Sequence, residues 1–118
     1  MIRFKFFMNA IRGIRYFVLI ENNAKIHLIA GKLAIIAGLL LNISQSDWIA
    51  LILCIGNVLS LEALNTGVER LCDLIHPHFH PSIGMIKDVT AGAVLIASTS
   101  SVIVGLIIFL PHIKELAK

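Results

Sequence analysis

The sequence predicts an all-α membrane protein in which an amphipathic surface helix precedes three transmembrane helices. Of its 118 residues, 58% are hydrophobic and only 14% are charged, and the apolar residues are gathered into three long runs. A soluble domain of this length could not bury so much apolar surface. The net charge of +3, with one Trp and one Tyr, suits anionic lipid headgroups better than a nucleic acid. We therefore expect the lipid bilayer, and no nucleic acid, among its partners.

The first segment, residues 1–25, is predicted to lie on the membrane surface as a helix. Its apolar positions follow helical spacing and are Phe6, Phe7, Ala10, Ile14, Phe17 and Val18. Its basic positions fall largely on other faces and are Arg3, Lys5, Arg12 and Arg15. A helix with one apolar and one basic face is typical of the boundary between lipid headgroups and acyl chains.

Three spans follow, at residues 26–43, 48–75 and 88–110, and with the surface helix they make one domain over the whole chain. The first span carries Lys32 near its beginning, where the long side chain can reach back toward the headgroups. The second is longer than a bilayer is thick, and the third has no charged residue after its first position. Between these two spans, the prolines of the loop are expected to break any helix.

The charges that flank the spans predict the orientation. Four Arg or Lys residues precede Glu21, whereas the loop between the first two spans carries only Asp47. Because positively charged loops stay on the cytoplasmic side, the N-terminus is predicted to lie in the cytoplasm. Three spans then put the loop at residues 76–88 inside and the C-terminus outside.

One face of the second span carries four polar residues, Glu62, Asn65, Glu69 and Asp73, which we call the acidic stripe. They fall within about 80° of one another around the helix. Glu62 lies about 21 Å beyond Trp48 and so reaches the inner interface of a core about 30 Å thick. A carboxylate at that depth is costly unless it is partnered, which makes it a candidate for chemistry. The alternative is that the stripe only holds neighbouring helices together.

Other charged residues are predicted on the same side of the membrane. Glu21 precedes the first span, and Lys87 with Asp88 stands at the mouth of the third. Carboxylates that converge in the fold suit a hard cation such as Mg²⁺, and a nearby lysine suits nucleotide phosphates. Taken alone, Glu21 is more typical of a solvated helix start, and Lys87 with Asp88 of an interfacial anchor.

Histidines alternate with other residues in the loop before the third span, at His76, His78 and His80. This spacing resembles a metal-binding tract. However, Pro77 and Pro81 interrupt it and the loop contains no cysteine, which favours ordinary loop histidines.

Small residues recur at every fourth position in two of the spans. The rows are Ala30, Ala34 and Gly38 in the first span and Ala93, Ala97, Ser101 and Gly105 in the third. Such rows are typical of helix-packing faces. Since three spans and one surface helix make too thin a wall to enclose a polar site, we also expect a homo-oligomer whose site is shared between chains.

Two motifs carry a resemblance to a known family: EALNTGVERLCD at residues 62–73 and KDVTAGAVL at residues 87–95. Together they resemble the small integral-membrane diacylglycerol kinases of prokaryotes, over a region from about Asn9 to Ile108. The resemblance implies ATP-dependent phosphorylation of a lipid hydroxyl by a homotrimer. It also implies composite active sites at the cytoplasmic face of the bacterial inner membrane.

The resemblance implies a role for each matching residue of the catalytic centre. Glu62 matches the family's general base, and Asn65 matches a residue needed for activity. Glu21 and Glu69 match the carboxylates that bind the magnesium ions of Mg-ATP. In this arrangement a base would accept the proton of the lipid hydroxyl while metal ions neutralise charge on the transferring phosphoryl group.

The remaining matches concern the nucleotide and the lipid. Lys87 and Asp88 match nucleotide contacts, and His80 falls where the family has a nucleotide-binding loop. The residues that fall in segments lining the family's lipid site are Arg12, Arg15, Asn23 and His27.

Departures from the family's pattern concern the acceptor lipid. Gly67 stands where alanine or serine is usual, and Ala91 where some members have a serine near the lipid. The segment at residues 22–27 and the turn at residues 44–48 resemble the branch that phosphorylates undecaprenol more than the diacylglycerol branch.

A non-catalytic membrane scaffold or small channel is the alternative from a different class. It predicts no nucleotide binding. A channel would also need polar residues along an entire span, and residues 49–55 and 103–110 contain none.

Overall fold

A computed structural model describes residues 2–118 as four helices: α1 (Ile2–Ile20), α2 (Asn22–Leu41), α3 (Gln45–Ile75) and α4 (Pro81–Leu116). No β-strand occurs in this part of the chain. Helices α2, α3 and α4 are each long and apolar enough to cross a membrane. The predicted all-α membrane fold, with a helix ahead of three spans, is therefore confirmed.

Helix α3 lies between the other two long helices. It packs most extensively against α4 and next against α2, whereas α2 and α4 touch each other only locally. A small core of Ile43, Leu51 and Ile108 closes the end of the bundle near the α2–α3 loop. Outward-facing side chains such as Leu40 and Ile107 are exposed, as expected of a surface that a bilayer covers.

The ends of α2 are set by the backbone of two residues. The backbone of Glu21 is extended, with φ −88° and ψ 123°, so this residue separates α1 from α2. Residues 22–25, predicted as the end of the surface helix, therefore belong to α2. Asn42 takes a left-handed conformation with φ 56° and ends α2 at Leu41, because asparagine tolerates this region better than most residues.

Helix α3 starts earlier than predicted, at Gln45 instead of residue 48. The Ser44 hydroxyl accepts a hydrogen bond from the backbone N–H of Asp47 at 3.2 Å. Since this bond satisfies an N–H group that the first turn leaves free, Ser44 caps the helix. The other end of α3 is at Ile75, as predicted.

Helix α4 also starts earlier than predicted, at Pro81 instead of residue 88. The expectation that Pro81 would break the helix is wrong, because the first helical residue needs no N–H donor and proline suits that position. Nδ1 of His80 accepts a hydrogen bond from the backbone N–H of Ser82 and caps the helix. At the other end, α4 continues through Pro111 to Leu116, beyond the predicted end at residue 110.

The predicted packing rows of small residues are only partly used for close packing. Gly38 is buried, and a Cβ atom there would lie 2.8 Å from the Trp48 ring. Ala97 is also buried. By contrast, a Cβ atom at Gly105 would meet nothing within 4 Å, because this part of the α4 row borders a cavity and not a neighbouring helix.

Candidate functional site

A cavity of about 320 Å³ separates α2 from α4 above the surface of α3. Its walls are mostly apolar, and we call it the central cavity. The small residues that border it are Ala30, Gly31, Ala34, Ser98, Ser101 and Gly105. The larger ones are His27, Leu51, Cys54, Ile55, Val58, Leu59, Val102 and Phe109. Small side chains on α2 and α4 thus leave space in the apolar interior for a ligand.

Glu62 stands one helical turn beyond the last α3 residue of the cavity wall, Leu59. Its side chain is only 5% exposed, and its Oε2 lies 3.6 Å from Nε2 of His27 on α2. No other cationic side chain within residues 2–118 forms an ion pair with Glu62. Since His27 also borders the cavity, the pair marks the end of the cavity that adjoins the polar half of α3.

Two further buried polar groups follow on α3. The side-chain oxygens Oδ1 of Asn65 and Oγ1 of Thr66 have no hydrogen-bond partner, and both residues are buried. A buried oxygen that accepts no hydrogen bond destabilises the fold. Both atoms therefore remain available to accept a hydrogen bond from a ligand or from another chain. Asn65 was a sequence-predicted site residue, whereas Thr66 was missed because a helical threonine normally has a local partner.

Two ion pairs lie beyond Asn65, toward the α3–α4 loop. Nη2 of Arg70 donates a hydrogen bond to Oε1 of Glu21 at 2.9 Å, which ties the junction of α1 and α2 to α3. Nζ of Lys87 donates to Oδ1 of Asp73 at 2.7 Å, which ties α4 to α3. The hydrogen bond from Lys87 to Asp73 raises the pKa of Lys87 above its ordinary value. Lys87 therefore keeps its charge at any pH near neutrality.

The other predicted nucleotide and metal residues lie close to these pairs. Glu69 precedes Arg70 on α3 and is exposed, and its charge adds to the raised pKa of Lys87. Asp88 follows Lys87 and is exposed. Among the described residues, no three His, Cys, Asp or Glu side chains converge as a ready-made metal site.

His80 lies at the end of the α3–α4 loop, beside a small pocket of about 120 Å³ that Asp73 and Lys87 also border. Its Nδ1 is engaged in capping α4. The exposed ring of Phe79 stands next to it. The loop therefore offers aromatic and imidazole rings next to a paired lysine.

The four residues predicted to line a lipid site differ in their contacts. His27 contacts Glu62 and borders the central cavity. Arg12, Arg15 and Asn23 are exposed, and none of them forms an ion pair or hydrogen bond among the pairs of residues 2–118. Arg70, which sequence reasoning missed, is instead the basic residue that holds Glu21.

The fold and this site define a multi-pass membrane protein in which charged groups cap an apolar cavity. The family model for prokaryotic diacylglycerol kinase matches residues 8–109. Undecaprenol kinase from Bacillus subtilis is 41% identical over 110 residues, which cover 93% of this chain and 89% of that protein. Diacylglycerol kinase from a Synechocystis species is 35% identical over 111 residues, which cover 93% of this chain and 63% of that protein. The chain belongs to the prokaryotic diacylglycerol kinase family and is a membrane lipid kinase.

Proposed function

We propose that this lipid kinase transfers the γ-phosphoryl group of Mg-ATP to the hydroxyl of a membrane lipid at the cytoplasmic interface. The observation that carries the proposal is the position of Glu62. It stands between an apolar cavity on one side and the paired charges of Glu21, Arg70, Asp73 and Lys87 on the other. A lipid chain and a nucleotide could therefore meet at one carboxylate.

In this proposal the acceptor lipid places its chain in the central cavity and its hydroxyl at Glu62. The cavity wall is mostly apolar, so burial of a hydrocarbon chain there is favourable. Glu62 is a buried carboxylate at the end of this cavity, and its ion-pair partner among the described residues is His27. Glu62 would thus accept the hydroxyl proton as the lipid oxygen attacks phosphorus. Asn65, one turn further, has a free amide oxygen that could orient the acceptor.

The nucleotide is proposed to lie over Lys87, Asp88 and the loop that ends at His80. Lysine suits phosphate as a point charge. The residues also fit magnesium, since this ion takes one or two protein carboxylates and completes its shell with phosphates and water. Glu21 and Glu69 would supply those carboxylates, and the ion would neutralise charge on the transferring group. Glu21 must then release Arg70, its present partner.

We further propose that the kinase is a homotrimer in the bacterial inner membrane, with its N-terminus in the cytoplasm. A single chain leaves the charged end of α3 open, with Glu69 and Asp88 exposed. A second copy packed beside α3 or α4 would enclose these groups and could give the buried oxygens of Asn65 and Thr66 their partners.

Undecaprenol is the acceptor that we favour over diacylglycerol. The support is the greater identity to undecaprenol kinase from Bacillus subtilis, over nearly its whole length. The segments around Asn23 and Trp48 also support undecaprenol, because they resemble the branch of the family that phosphorylates it.

The test is transfer of labelled γ-phosphate from ATP in mixed micelles with Mg²⁺, with diacylglycerol and undecaprenol offered separately. We expect labelled lipid with both acceptors and a higher kcat/KM with undecaprenol. A better rate with diacylglycerol would reverse the assignment of the acceptor. No labelled lipid from folded protein, together with no ATP binding, would contradict the proposal and support a non-catalytic scaffold.

A further inference from the structure

The pair of His27 and Glu62 joins α2 to α3 at the charged end of the central cavity. The two side chains differ in accessibility: 24% of the His27 side chain is exposed but only 5% of the Glu62 side chain. His27 lies about 8 Å along α2 from its first residue, Asn22, which is exposed. Glu62 is therefore the inner member of the pair, and His27 is the more accessible member.

We propose that His27 receives the proton that Glu62 takes from the lipid hydroxyl and passes it to water. His27 is then a positioning and proton-relay residue that acts through Glu62. This inference rests on the proposed function, in which Glu62 is the base.

The proton and the phosphoryl group follow a balanced sequence. The O–H bond of the lipid breaks as its oxygen bonds to the γ-phosphorus, and the proton goes to Glu62. The bond from the γ-phosphorus to the β,γ-bridging oxygen breaks, and ADP leaves with the electron pair. The carboxylic acid of Glu62 then donates the proton to Nε2 of His27, whose other hydrogen is on Nδ1. Water takes a proton from the imidazolium and restores both side chains.

Glu62 needs a route for the proton because its side chain is only 5% exposed. Among the described residues, His27 is the one histidine that forms an ion pair with Glu62, and arginine and lysine side chains carry donors but no proton acceptor. Charged residues on and between these elements include Arg12 and Arg15 on α1, Glu21 at the α1–α2 junction, Lys25 and Lys32 on α2, Glu69, Arg70 and Asp73 on α3, and Lys87 and Asp88 on α4. Two of these cations are already paired, Arg70 with Glu21 and Lys87 with Asp73. The His27 ring therefore combines a contact with Glu62 with two nitrogens, one of which can accept a proton while the other donates one.

The experiment compares the full chain with His27→Ala and His27→Gln in the labelled-ATP assay, with and without added imidazole. His112→Ala is the matched control. This histidine lies one turn beyond Ile108, which packs in the core at the opposite end of the bundle. Circular dichroism and size-exclusion chromatography verify that each variant is folded and assembled as the wild type is.

We expect His27→Ala to lower kcat about 100-fold while the KM for Mg-ATP stays within about twofold, because the relay affects turnover and not nucleotide binding. Imidazole should restore much of the kcat of His27→Ala. It should not restore His27→Gln, since glutamine fills the space of the ring and cannot accept a proton. His112→Ala should match the wild type with and without imidazole.

Three results would overturn the relay. The first is a kcat of His27→Ala within about twofold of the wild type. The second is a loss that imidazole does not relieve in His27→Ala. The third is a rise in the KM for the lipid that accounts for the whole loss, which would make His27 a lining residue only. In each case the wild-type chain still transfers phosphate, so the proposed function stands. Absence of transfer by the wild type would overturn the proposed function and the relay with it.

Discussion

The two halves of α3 lie in different surroundings although they belong to one unbroken helix. Before Glu62, residues such as Leu51, Ile55 and Val58 border an apolar cavity and make no polar contact with neighbouring helices. After Glu62, Arg70 and Asp73 form ion pairs with partners outside α3. In the proposed function the lipid occupies the first environment and the nucleotide the second. Glu62, at the boundary between them, is where the two would meet.

Substitution of Glu62 should reduce activity more than any other change. Glu62→Gln keeps the shape of the side chain but removes the proton acceptor, so kcat should fall about 1,000-fold. This is checked by the steady-state rate of phosphate transfer to the lipid, with Glu115→Gln as the control variant. Glu115 is exposed in the last turns of α4 and is expected to be dispensable. A kcat of Glu62→Gln near that of the control would remove the distinction between the two halves.

The next effect tests the charged half of the helix. Lys87→Gln removes the cation that Asp73 holds at 2.7 Å, and kcat/KM for ATP should fall about 10- to 100-fold, because a charge-assisted contact to phosphate is lost. The KM for the lipid should change little. Lys114→Gln, near the other end of α4, serves as the control. An equal loss for both variants would mean that Lys87 acts only through net charge.

A smaller effect tests the apolar half. Gly105→Leu would fill part of the central cavity, where a Cβ atom meets nothing within 4 Å, so the helix should fold normally. We expect kcat/KM to fall about tenfold with a long-chain acceptor and less with a short-chain one, because only the long chain needs the space. Thr99→Leu adds a similar side chain to an exposed position on α4. Equal effects of the two variants on both acceptors would show that the cavity does not hold the lipid.

The smallest effect concerns stability. Arg70→Gln breaks the pair with Glu21, in which the Arg70 side chain is 54% exposed. Exposed ion pairs contribute little to folding, so the midpoint of thermal unfolding should shift by no more than about 2 °C. The apparent affinity for Mg²⁺ should rise, because Glu21 no longer has a competing partner. A large drop in the unfolding midpoint would instead identify the pair as a structural link between α1 and α3.

Most of the fold could be predicted from hydrophobic runs alone, because a membrane protein exposes its apolar residues to lipid and needs no long-range pairing to reveal its helices. The residues at which the helices begin and end were harder to predict. Pro81 was predicted in a loop because proline breaks helices, yet it opens α4. Glu21 was placed ahead of the first span, but its role as the break between two helices depends on its own backbone angles.

The site could be predicted only in part, because helical spacing places residues on one helix but not across several. The acidic stripe follows directly from the positions of Glu62 and Asp73 on α3. By contrast, the contact of His27 with Glu62 and that of Arg70 with Glu21 depend on how α2 and the α1–α2 junction pack against α3. The small residues near Gly105 gave the same signal for tight packing as for a cavity, so only the fold distinguishes these outcomes.

We propose that Glu62 acts in chemistry and not in binding or assembly. The most direct test measures Mg-ATP binding and transfer of labelled phosphate to the lipid in the same sample of Glu62→Gln. We predict a dissociation constant for Mg-ATP within about threefold of the wild type and almost no labelled lipid. Labelled lipid formed at close to the wild-type rate would contradict the claim.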